Sequence, residues 1–184
     1  MIADPFVTLL DIECNCKAYA VNIPRQIVTE RDWLGIGFKS SDYDFVCRME
    51  EVSEILRWPV MTDVPGSQPW FRGIANLRGH ILPVTDLQGF ISGAPHKETA
   101  LSRVLVVNYE NAYYGFAVGQ VLGIEHFFAE EVKPAVNLNN IHNYIPYVKG
   151  VFERDYKPWA ILNFGIIIQT TEFYHILTAK TEAA

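Results

Sequence analysis

This chain contains glycines, cysteines and histidines, which are the residue types that most often bind a cofactor or a metal. Gly35-Ile36-Gly37 supplies the first two glycines of a dinucleotide-binding fingerprint, but Ser40 stands where the third glycine is required. Cys14 and Cys16 would need a pair of histidines at zinc-finger spacing to complete a metal site, and the chain has no such pair. The spacing therefore predicts no cofactor and no metal.

His80 and Asp86 are residues that often act as a general acid and a general base, yet they lie at opposite ends of one short predicted strand. The sequence also lacks a GxxxxGK phosphate loop, an HExxH motif, a CxxC pair and a GxSxG nucleophile elbow. We therefore expect no catalytic residues, and a small hydrolase is the weakest alternative. An enzyme would show a cleft with titratable groups of perturbed pKa, whereas an adaptor would show apolar surface patches.

The segment Val52-Ser53-Glu54-Ile55 has the alternation of a strand, which places Val52 and Glu54 on one face and Ile55 on the other. If Ile55 faces the core, Val52 is an exposed apolar residue beside a carboxylate. Single exposed apolar residues are ordinary in soluble proteins. A role in binding and a purely structural role therefore both stay open.

A second candidate surface feature is the segment Asn76-Leu77-Arg78-Gly79, which is typical of a turn between two strands. Gly79 can adopt a positive φ there, and Arg78 projects outward. A solvated arginine in a turn is the alternative reading. Because alternation exposes Glu54 and the turn exposes Arg78, we predict that these two side chains lie within ion-pair reach.

Most of the chain has the pattern of short strands. Alternation starts at Tyr43 and runs to Met49, and further segments of strand character are 52–56, 72–77, 80–85, 103–109, 113–118, 121–128, 148–152 and 159–162. Many short strands joined by brief turns are typical of barrels and sandwiches. A polar segment with Gly and Pro at 91–101 is the candidate internal boundary.

Both ends of the chain have helical patterns. Asp4-Pro5 is a helix start, and the apolar spacing after it predicts an amphipathic helix over 5–21 that ends near Pro24. Residues 22–42 are predicted to be an irregular connector in which Trp33 packs against the rest of the protein. A second helix is predicted over 170–180, capped by a threonine.

Composition excludes several classes of protein. The chain has 184 residues, 49% of them hydrophobic, and a net charge of −6, so it should fold and should not attract nucleic acid. No segment has the form of a signal peptide or the length of a membrane helix. Cys14, Cys16 and Cys47 form no disulfide framework, which favours a reducing compartment. We expect a cytoplasmic protein.

The sequence contains an internal repeat. FRGIANLRGHILPVTDL, from Phe71, matches VKGVFERDYKPWAILNF, from Val148, at one constant offset (150 − 73 = 77). Upstream, EVSEI at Glu51 matches QVLGI at Gln120 (121 − 52 = 69). By length each half holds about five strands, so we predict two small barrels that share one core, with a single large sandwich as the alternative.

The run from Gly73 to Leu87, GIANLRGHILPVTDL, resembles the signature of the CheW-like domain, the coupling module of bacterial chemosensory systems. The resemblance extends over 43–168. The N-terminal extension, with WLGIGF from Trp33, is similar to the PilI-type branch of that family, which serves type IV pilus twitching motility. So is the later segment VPG from Val64, together with Trp70.

The resemblance implies a mainly β fold of two five-stranded SH3-like β-barrels with N- and C-terminal helices. In this division 1–42 is a helix and connector, the first barrel covers about 43–92, the second covers about 102–168, and the helix 170–180 closes the domain. It also implies a non-enzymatic adaptor, without cofactor, that joins a PilJ-like methyl-accepting receptor to a CheA-like histidine kinase. Such an adaptor is recruited to receptor arrays without being inserted in the membrane.

Motif by motif, the resemblance implies that six residues form the receptor- or kinase-binding surface: Val52, Glu54, Gly73, Asn76, Arg78 and Gly79. Gly73 is the position where a side chain would intrude on a barrel edge or on a partner. Where many members have an aspartate before the second-barrel valine, this chain has Val118-Gly119-Gln120-Val121, so any contact made there by an aspartate is in doubt. An SH3-like peptide-binding scaffold outside chemosensing is the alternative function.

Overall fold

A computed structural model describes residues 32–134, 142–154 and 156–176, together with residues 6, 9, 10, 12, 13 and 15. The chain forms two compact units, 1–30 and 31–184. The described residues of the first unit are helical, in agreement with the predicted helix, and its apolar side chains Phe6, Leu9, Leu10 and Ile12 are exposed. The end of that helix near Pro24, and the predicted connector up to residue 31, lie outside the described residues.

The second unit is built mainly from strands. Their bounds are β1 Asp32–Ser40, β2 Tyr43–Arg48, β3 Val52–Arg57, β4 Met61–Thr62, β5 Phe71–Leu77, β6 His80–Asp86, β7 Arg103–Tyr109, β8 Ala112–Val118, β9 Gln120–Phe128, β10 Val148–Arg154 and β11 Lys157–Leu162. The predicted strands are thus found within one or two residues of their expected ends. The helices are short: α1 Leu87–Ser92, α2 Phe164–Ile168 and α3 Thr171–Tyr174.

Strand β1 corrects the prediction of an irregular connector over 22–42. The strand pairs with β2 on one side and β9 on the other, and most of its residues are buried on both faces. It therefore shows no polar and apolar alternation. Glycine is required at position 35 because a Cβ there would lie 2.2 Å from the Trp33 ring. The prediction that Trp33 packs against the rest of the protein is confirmed, since it is buried.

The strands form one five-stranded sheet, in the order β10-β11-β2-β1-β9, and one six-stranded sheet, in the order β3-β7-β8-β6-β5-β4. In each sheet one parallel pair, β11 with β2 or β6 with β8, lies among antiparallel pairs. Within the described residues, no ladder joins the first and last strands of either sheet. The predicted mainly β, SH3-like fold is confirmed, with open sheets in place of closed barrels.

The internal repeat is visible in the hydrogen-bond registers. Arg72 is the extra residue where β5 shifts against β6, and Lys149, at the offset of 77, is the extra residue where β10 shifts against β11. Ser53 in β3 and Leu122 in β9 occupy matching irregularities at the offset of 69. The repeat that we predicted from the sequence is therefore a repeat of backbone structure, irregularities included.

The two sheets do not follow the two sequential halves, which corrects the expected barrels at 43–92 and 102–168. The hairpin β1–β2 belongs to the sheet that contains β9, β10 and β11, and the hairpin β7–β8 belongs to the sheet that contains β3 to β6. Under the repeat, β1–β2 corresponds to β7–β8. Each half therefore gives its first hairpin to the other half's sheet.

Three clusters of buried side chains hold the unit together. One lies with the six-stranded sheet and includes Leu82 and Val104, and another lies with the five-stranded sheet and includes Trp33 and Phe152. The largest combines the exchanged hairpins with α1 and α2, and contains the fully buried phenylalanines Phe38, Phe45, Phe116 and Phe164. This central cluster is the shared core that we expected between the halves.

The helix predicted over 170–180 is shorter than expected. Residues 171–174 form α3, and the hydroxyl of Thr170 donates to the Ile167 carbonyl at 2.7 Å, so it does not cap the helix. The helix ends at Tyr174, and beyond it the carbonyl of Ile176 accepts a bond from the Gln68 amide at 2.7 Å. Residues 177–180 lie outside the described residues. The helices described are all too short or too polar to cross a membrane.

Candidate functional site: an ion-paired binding surface

Glu54 and Arg78 form the ion pair that we predicted. Glu54 projects from β3 with its side chain 30% exposed, and Arg78 Nη2 donates to its Oε1 at 2.8 Å from the turn between β5 and β6. Because β3 is one edge strand of its sheet and the β5–β6 turn lies toward the other end, the pair links distant strands of the sheet. The sheet thus bends round its own interior cluster.

The geometry of the turn explains three of the predicted site residues. Leu77 pairs with His80, which leaves Arg78 and Gly79 as a two-residue turn with φ values of 50° and 90°. Positive φ at both positions is the geometry of a type I′ turn, which follows the twist of the strands. The Asn76 side chain accepts the Gly79 amide at 2.8 Å and holds the turn, so Arg78 is presented in a fixed direction.

The predicted orientation of β3 is wrong for its apolar residues. Val52 is half-buried and packs against the central core, and Leu56 packs against the interior cluster of the six-stranded sheet. Ile55 is the exposed residue, at 42% of its surface. Apolar residues occur on both faces of this strand. The face with Val52 is buried because it also carries Leu56, so that two apolar side chains are covered where the other face offers only Ile55. The apolar residue available to a partner on β3 is therefore Ile55.

Gly73 lies within β5, and its own surroundings explain the glycine. Its φ is +122°, and a Cβ there would lie 2.5 Å from the carbonyl oxygen of Thr62 in β4. Both observations exclude a side chain without reference to a partner. A side chain at Gly73 would therefore intrude on the neighbouring edge strand, and β4 would have to move.

The five-stranded sheet has a comparable ion pair. Arg154, at the end of β10, donates to Glu125 in β9 and to the carbonyl of His126. Its guanidinium also lies 4.5 Å from the centre of the Phe127 ring, in a cation–π arrangement. This pair joins the two outer strands of its sheet, and it is less exposed than Glu54–Arg78. The freely accessible pair is the one in the six-stranded sheet.

A buried network at the end of β6 was missed by the sequence analysis. The Asp86 carboxylate is fully buried, accepts Arg72 Nη2 at 2.6 Å and accepts the amide of Gly89 at the start of α1. It also accepts the amide of His96 at 2.7 Å, while Arg72 donates to the carbonyl of the same residue. His96 Nε2 lies 2.9 Å from the hydroxyl of Ser102. The network fixes the loop between α1 and β7.

The sequence carried one signal for this network, which is the repeat itself. Asp86 corresponds to Asn163, and both cap a helix: the Asn163 side chain accepts the Ile166 amide at 2.9 Å. Glu51 was also missed. Its carboxylate accepts Asn163 Nδ2 at 3.1 Å and the Phe164 amide at 3.4 Å, and burial raises its pKa above the ordinary value.

The residues first considered for chemistry are not assembled into a reactive site. His80 is exposed at the start of β6, and its ring lies beside that of Tyr113, whereas Asp86 is buried at the other end. Cys47 is a buried free thiol whose pKa is raised, mainly by burial. Among the described residues, there is no cluster of three or more His, Cys, Asp or Glu that can hold a metal ion. Cys14 and Cys16 lie outside these residues.

The sequence matches the model of the CheW-like domain over residues 34–172. The chain belongs to the CheW-like family. The match covers every strand from β2 to β11 and most of β1, so the exchanged hairpins and the Glu54–Arg78 pair all lie inside the CheW-like domain.

Two relatives in the CheW-like family match different shares of this chain. Protein PilI of Pseudomonas aeruginosa is 34% identical over 179 residues, which are 95% of this chain and 97% of PilI. A probable chemotaxis protein CheW of Rhizobium etli is 25% identical and matches 74% of this chain and 88% of that protein. The similarity to PilI thus extends further along the chain.

The fold of the CheW-like domain is also found among solved structures. The scaffolding protein TtCheW of Thermoanaerobacter tengcongensis superposes with a TM-score of 0.69 at 20% identity, covering 79% of this chain and 99% of TtCheW. At that identity the likeness supports the fold. TtCheW in its full length therefore matches a part of this chain only.

Proposed function

We propose that this protein is a non-enzymatic cytoplasmic adaptor that couples a methyl-accepting chemoreceptor to a CheA-like histidine kinase, in a chemosensory system that controls type IV pili and twitching motility. The receptor would be of the PilJ type. Membership of the CheW-like family and the full-length similarity to PilI support the proposal. The observation that carries it is the exposed Glu54–Arg78 pair, in which a rigid turn presents Arg78.

The energetics of this pair favour a role in binding over a role in folding. Arg78 is 79% exposed on its side chain, and an ion pair of this exposure contributes at most about 1 kcal/mol to stability. Charged groups of fixed orientation at the rim of an interface instead set the register and the rate of association. We propose that Glu54 and Arg78, with Val52, Asn76 and Gly79 as supports, orient the receptor-binding surface.

Charge reversal tests the pair. We expect Glu54→Arg and Arg78→Glu each to weaken binding of a receptor cytoplasmic fragment about tenfold, with a melting temperature nearly unchanged. Exchange of both charges in one variant should restore part of the affinity. Glu50→Arg is the matched control, since Glu50 forms an exposed pair with Arg48 at 3.2 Å on another part of the surface. Wild-type affinity in both single variants would contradict the role of the pair.

Coupling itself requires that both partners bind at the same time. Co-sedimentation of the full-length chain with receptor and kinase fragments should give a ternary complex with all three components. Mutually exclusive binding of the receptor and the kinase would contradict the adaptor function. Binding of neither fragment would favour an SH3-like scaffold outside chemosensing.

A further inference from the structure

The repeat relates two sites in the structure, and a segment of the chain fills the first of them. At the first site Asp86 accepts the backbone amide of His96 at 2.7 Å, and Arg72 donates to the backbone carbonyl of the same residue. His96 is half-buried in a loop whose neighbouring residues are exposed. One residue of the loop 93–102 is therefore bound through both of its peptide groups, in the manner of a captured strand.

The second site is lined by the residues that correspond to the first. At the offset of 77, Lys149 corresponds to Arg72 and Asn163 corresponds to Asp86, and at the offset of 69 Glu51 corresponds to Gln120. Lys149, Asn163 and Glu51 line one cavity of about 320 Å³. Other side chains of this cavity are those of Val107, Asn108, Tyr109, Ile166 and Gln169. We call it the Glu51–Lys149 cavity.

The His96 ring lies next to the position that corresponds, under the repeat, to the Glu51 wall of the cavity. A Cβ on Gly119 would lie 3.4 Å from Cε1 of His96. Gly119 precedes Gln120, the counterpart of Glu51. His96 thus covers the first site close to Gln120, at the place where the second site has its cavity.

The described chain does not place an equivalent loop over the second site. After α1 the chain turns back over Asp86. After α2 it continues into α3 and packs against residues that precede β5. There Phe173 packs with Trp70, and the Ile176 carbonyl accepts the Gln68 amide. Among the described residues up to 176, no backbone amide of a covering loop donates to Asn163 as the His96 amide donates to Asp86.

The Glu51–Lys149 cavity offers the two groups that a peptide backbone needs. The Glu51 carboxylate is held by Asn163 and by the Phe164 amide, and it keeps unused lone pairs. Burial raises its pKa, and the charge of Lys149, which lines the same cavity, acts in the opposite direction. Lys149 is exposed and has three donors. An acceptor and a donor therefore face one space.

We propose that the Glu51–Lys149 cavity binds an extended peptide segment of a partner protein. Glu51 accepts a backbone amide of that segment, and Lys149 donates to a backbone carbonyl, as Asp86 and Arg72 do for His96. This site is built by α2, β10 and the turn before β3, so it is separate from the turn that carries Arg78. The inference does not depend on the role of the Glu54–Arg78 pair.

The probe for this site is a set of capped twelve-residue peptides that tile the cytoplasmic part of the receptor and the whole kinase. Binding of each labelled peptide to the full-length chain is measured by fluorescence anisotropy. We expect at least one peptide to bind, and we expect Glu51→Ala and Lys149→Ala each to weaken that peptide about tenfold or more. Glu51→Gln, which keeps an acceptor oxygen, should weaken it less.

Two matched controls separate the cavity from general charge effects. Glu98→Ala and Lys157→Ala remove exposed charges outside the cavity and should leave the affinity unchanged. Thermal unfolding of every variant shows whether the fold is retained. Backbone amide shifts of the labelled chain should concentrate at Asn108, Lys149 and Gln169 when the peptide is added.

Several outcomes would overturn the proposal. These are the absence of any bound peptide, equal binding by wild type and both cavity variants, or occupation of the cavity by a second copy of this chain. The ternary complex of receptor, kinase and this protein is measured separately. Coupling can therefore hold while the cavity fails, and the reverse result is equally visible.

Discussion

The five-stranded and six-stranded sheets repeat one backbone plan but fill their interiors in opposite ways. The six-stranded sheet encloses small and aliphatic side chains, including Val104 and Val106. The five-stranded sheet has Gly35 and Gly37 at the corresponding positions, and aromatic rings fill the space: Trp33, Phe127, Phe152 and Trp159. The registers, including the irregular positions, are the same in both. The hydrogen-bond plan of the sheet therefore tolerates different packing, provided that the total volume is conserved.

The same comparison separates the polar sites of the two halves. The first half buries a complete ion pair, Arg72–Asp86, under its own loop. The second half has the neutral Asn163 in place of Asp86, and the charges of Glu51 and Lys149 face a cavity. The first copy of the site is thus closed by a loop, whereas no described segment covers the second copy.

The largest effect that we predict comes from breaking the closed copy. Asp86→Ala leaves Arg72 without its partner, uncaps α1 and releases His96, so it should lower the free energy of unfolding by about 3–5 kcal/mol. Asn163→Ala removes the corresponding cap and should cost about 0.5–2 kcal/mol. Urea unfolding of both variants measures the difference. Equal losses at the two positions would show that the loop network adds nothing.

A smaller difference is predicted for the glycines at the paired irregularities. Gly73→Ala forces a side chain into a backbone at φ +122° and against the Thr62 carbonyl, which should cost about 1–3 kcal/mol. In Gly150→Ala the nearest obstacle is a methyl group of Val132, which can rotate away, so the cost should be lower. Thermal unfolding of the two variants ranks them. A greater loss at Gly150 would contradict this account.

The smallest effect concerns Glu51 and depends on pH. Because burial raises the pKa of Glu51, the folded state holds its proton more firmly than the unfolded state, and stability falls as pH rises through the interval above about 4.5. Glu51→Gln makes the second site resemble the first, which has Gln120, and removes this slope. Urea midpoints between pH 4 and pH 7 should shift in favour of the variant as pH rises. Parallel curves for wild type and variant would show that the Glu51 carboxyl is not responsible.

The sequence predicted what depends on local pattern. Alternation located the strands, turn residues located the Arg78–Gly79 turn, and both together predicted the Glu54–Arg78 pair, which is confirmed. Strand β1 was missed because burial on both faces removes alternation and because glycines next to large rings resemble those of a loop. The face of β3 was misjudged because apolar residues occur at both parities. Whether the predicted site residues bind a receptor stays a prediction.

The exchange of hairpins was beyond sequence reasoning for a different reason. A repeat shows which segments are equivalent. The sequence pattern does not show which of the two equivalent hairpins pairs with which of the two sheets. Only the lengths and directions of the connections decide between the two pairings. The Glu51–Lys149 cavity was missed for the same reason, since Glu51 and Asn163 are brought together by tertiary packing across 112 positions of the chain.

The hairpin exchange also determines the order in which this protein can fold during synthesis. Phe45 in β2 pairs with Ala160 in β11, so the first hairpin to be synthesised must wait for the last of the described strands before its sheet is complete. Closing so long a loop costs entropy before any contact compensates for it, and topologies of this kind fold slowly. The early hairpin, with Phe38 and Phe45, spends that interval with its apolar surface uncovered, and transiently exposed apolar surface of this kind favours aggregation.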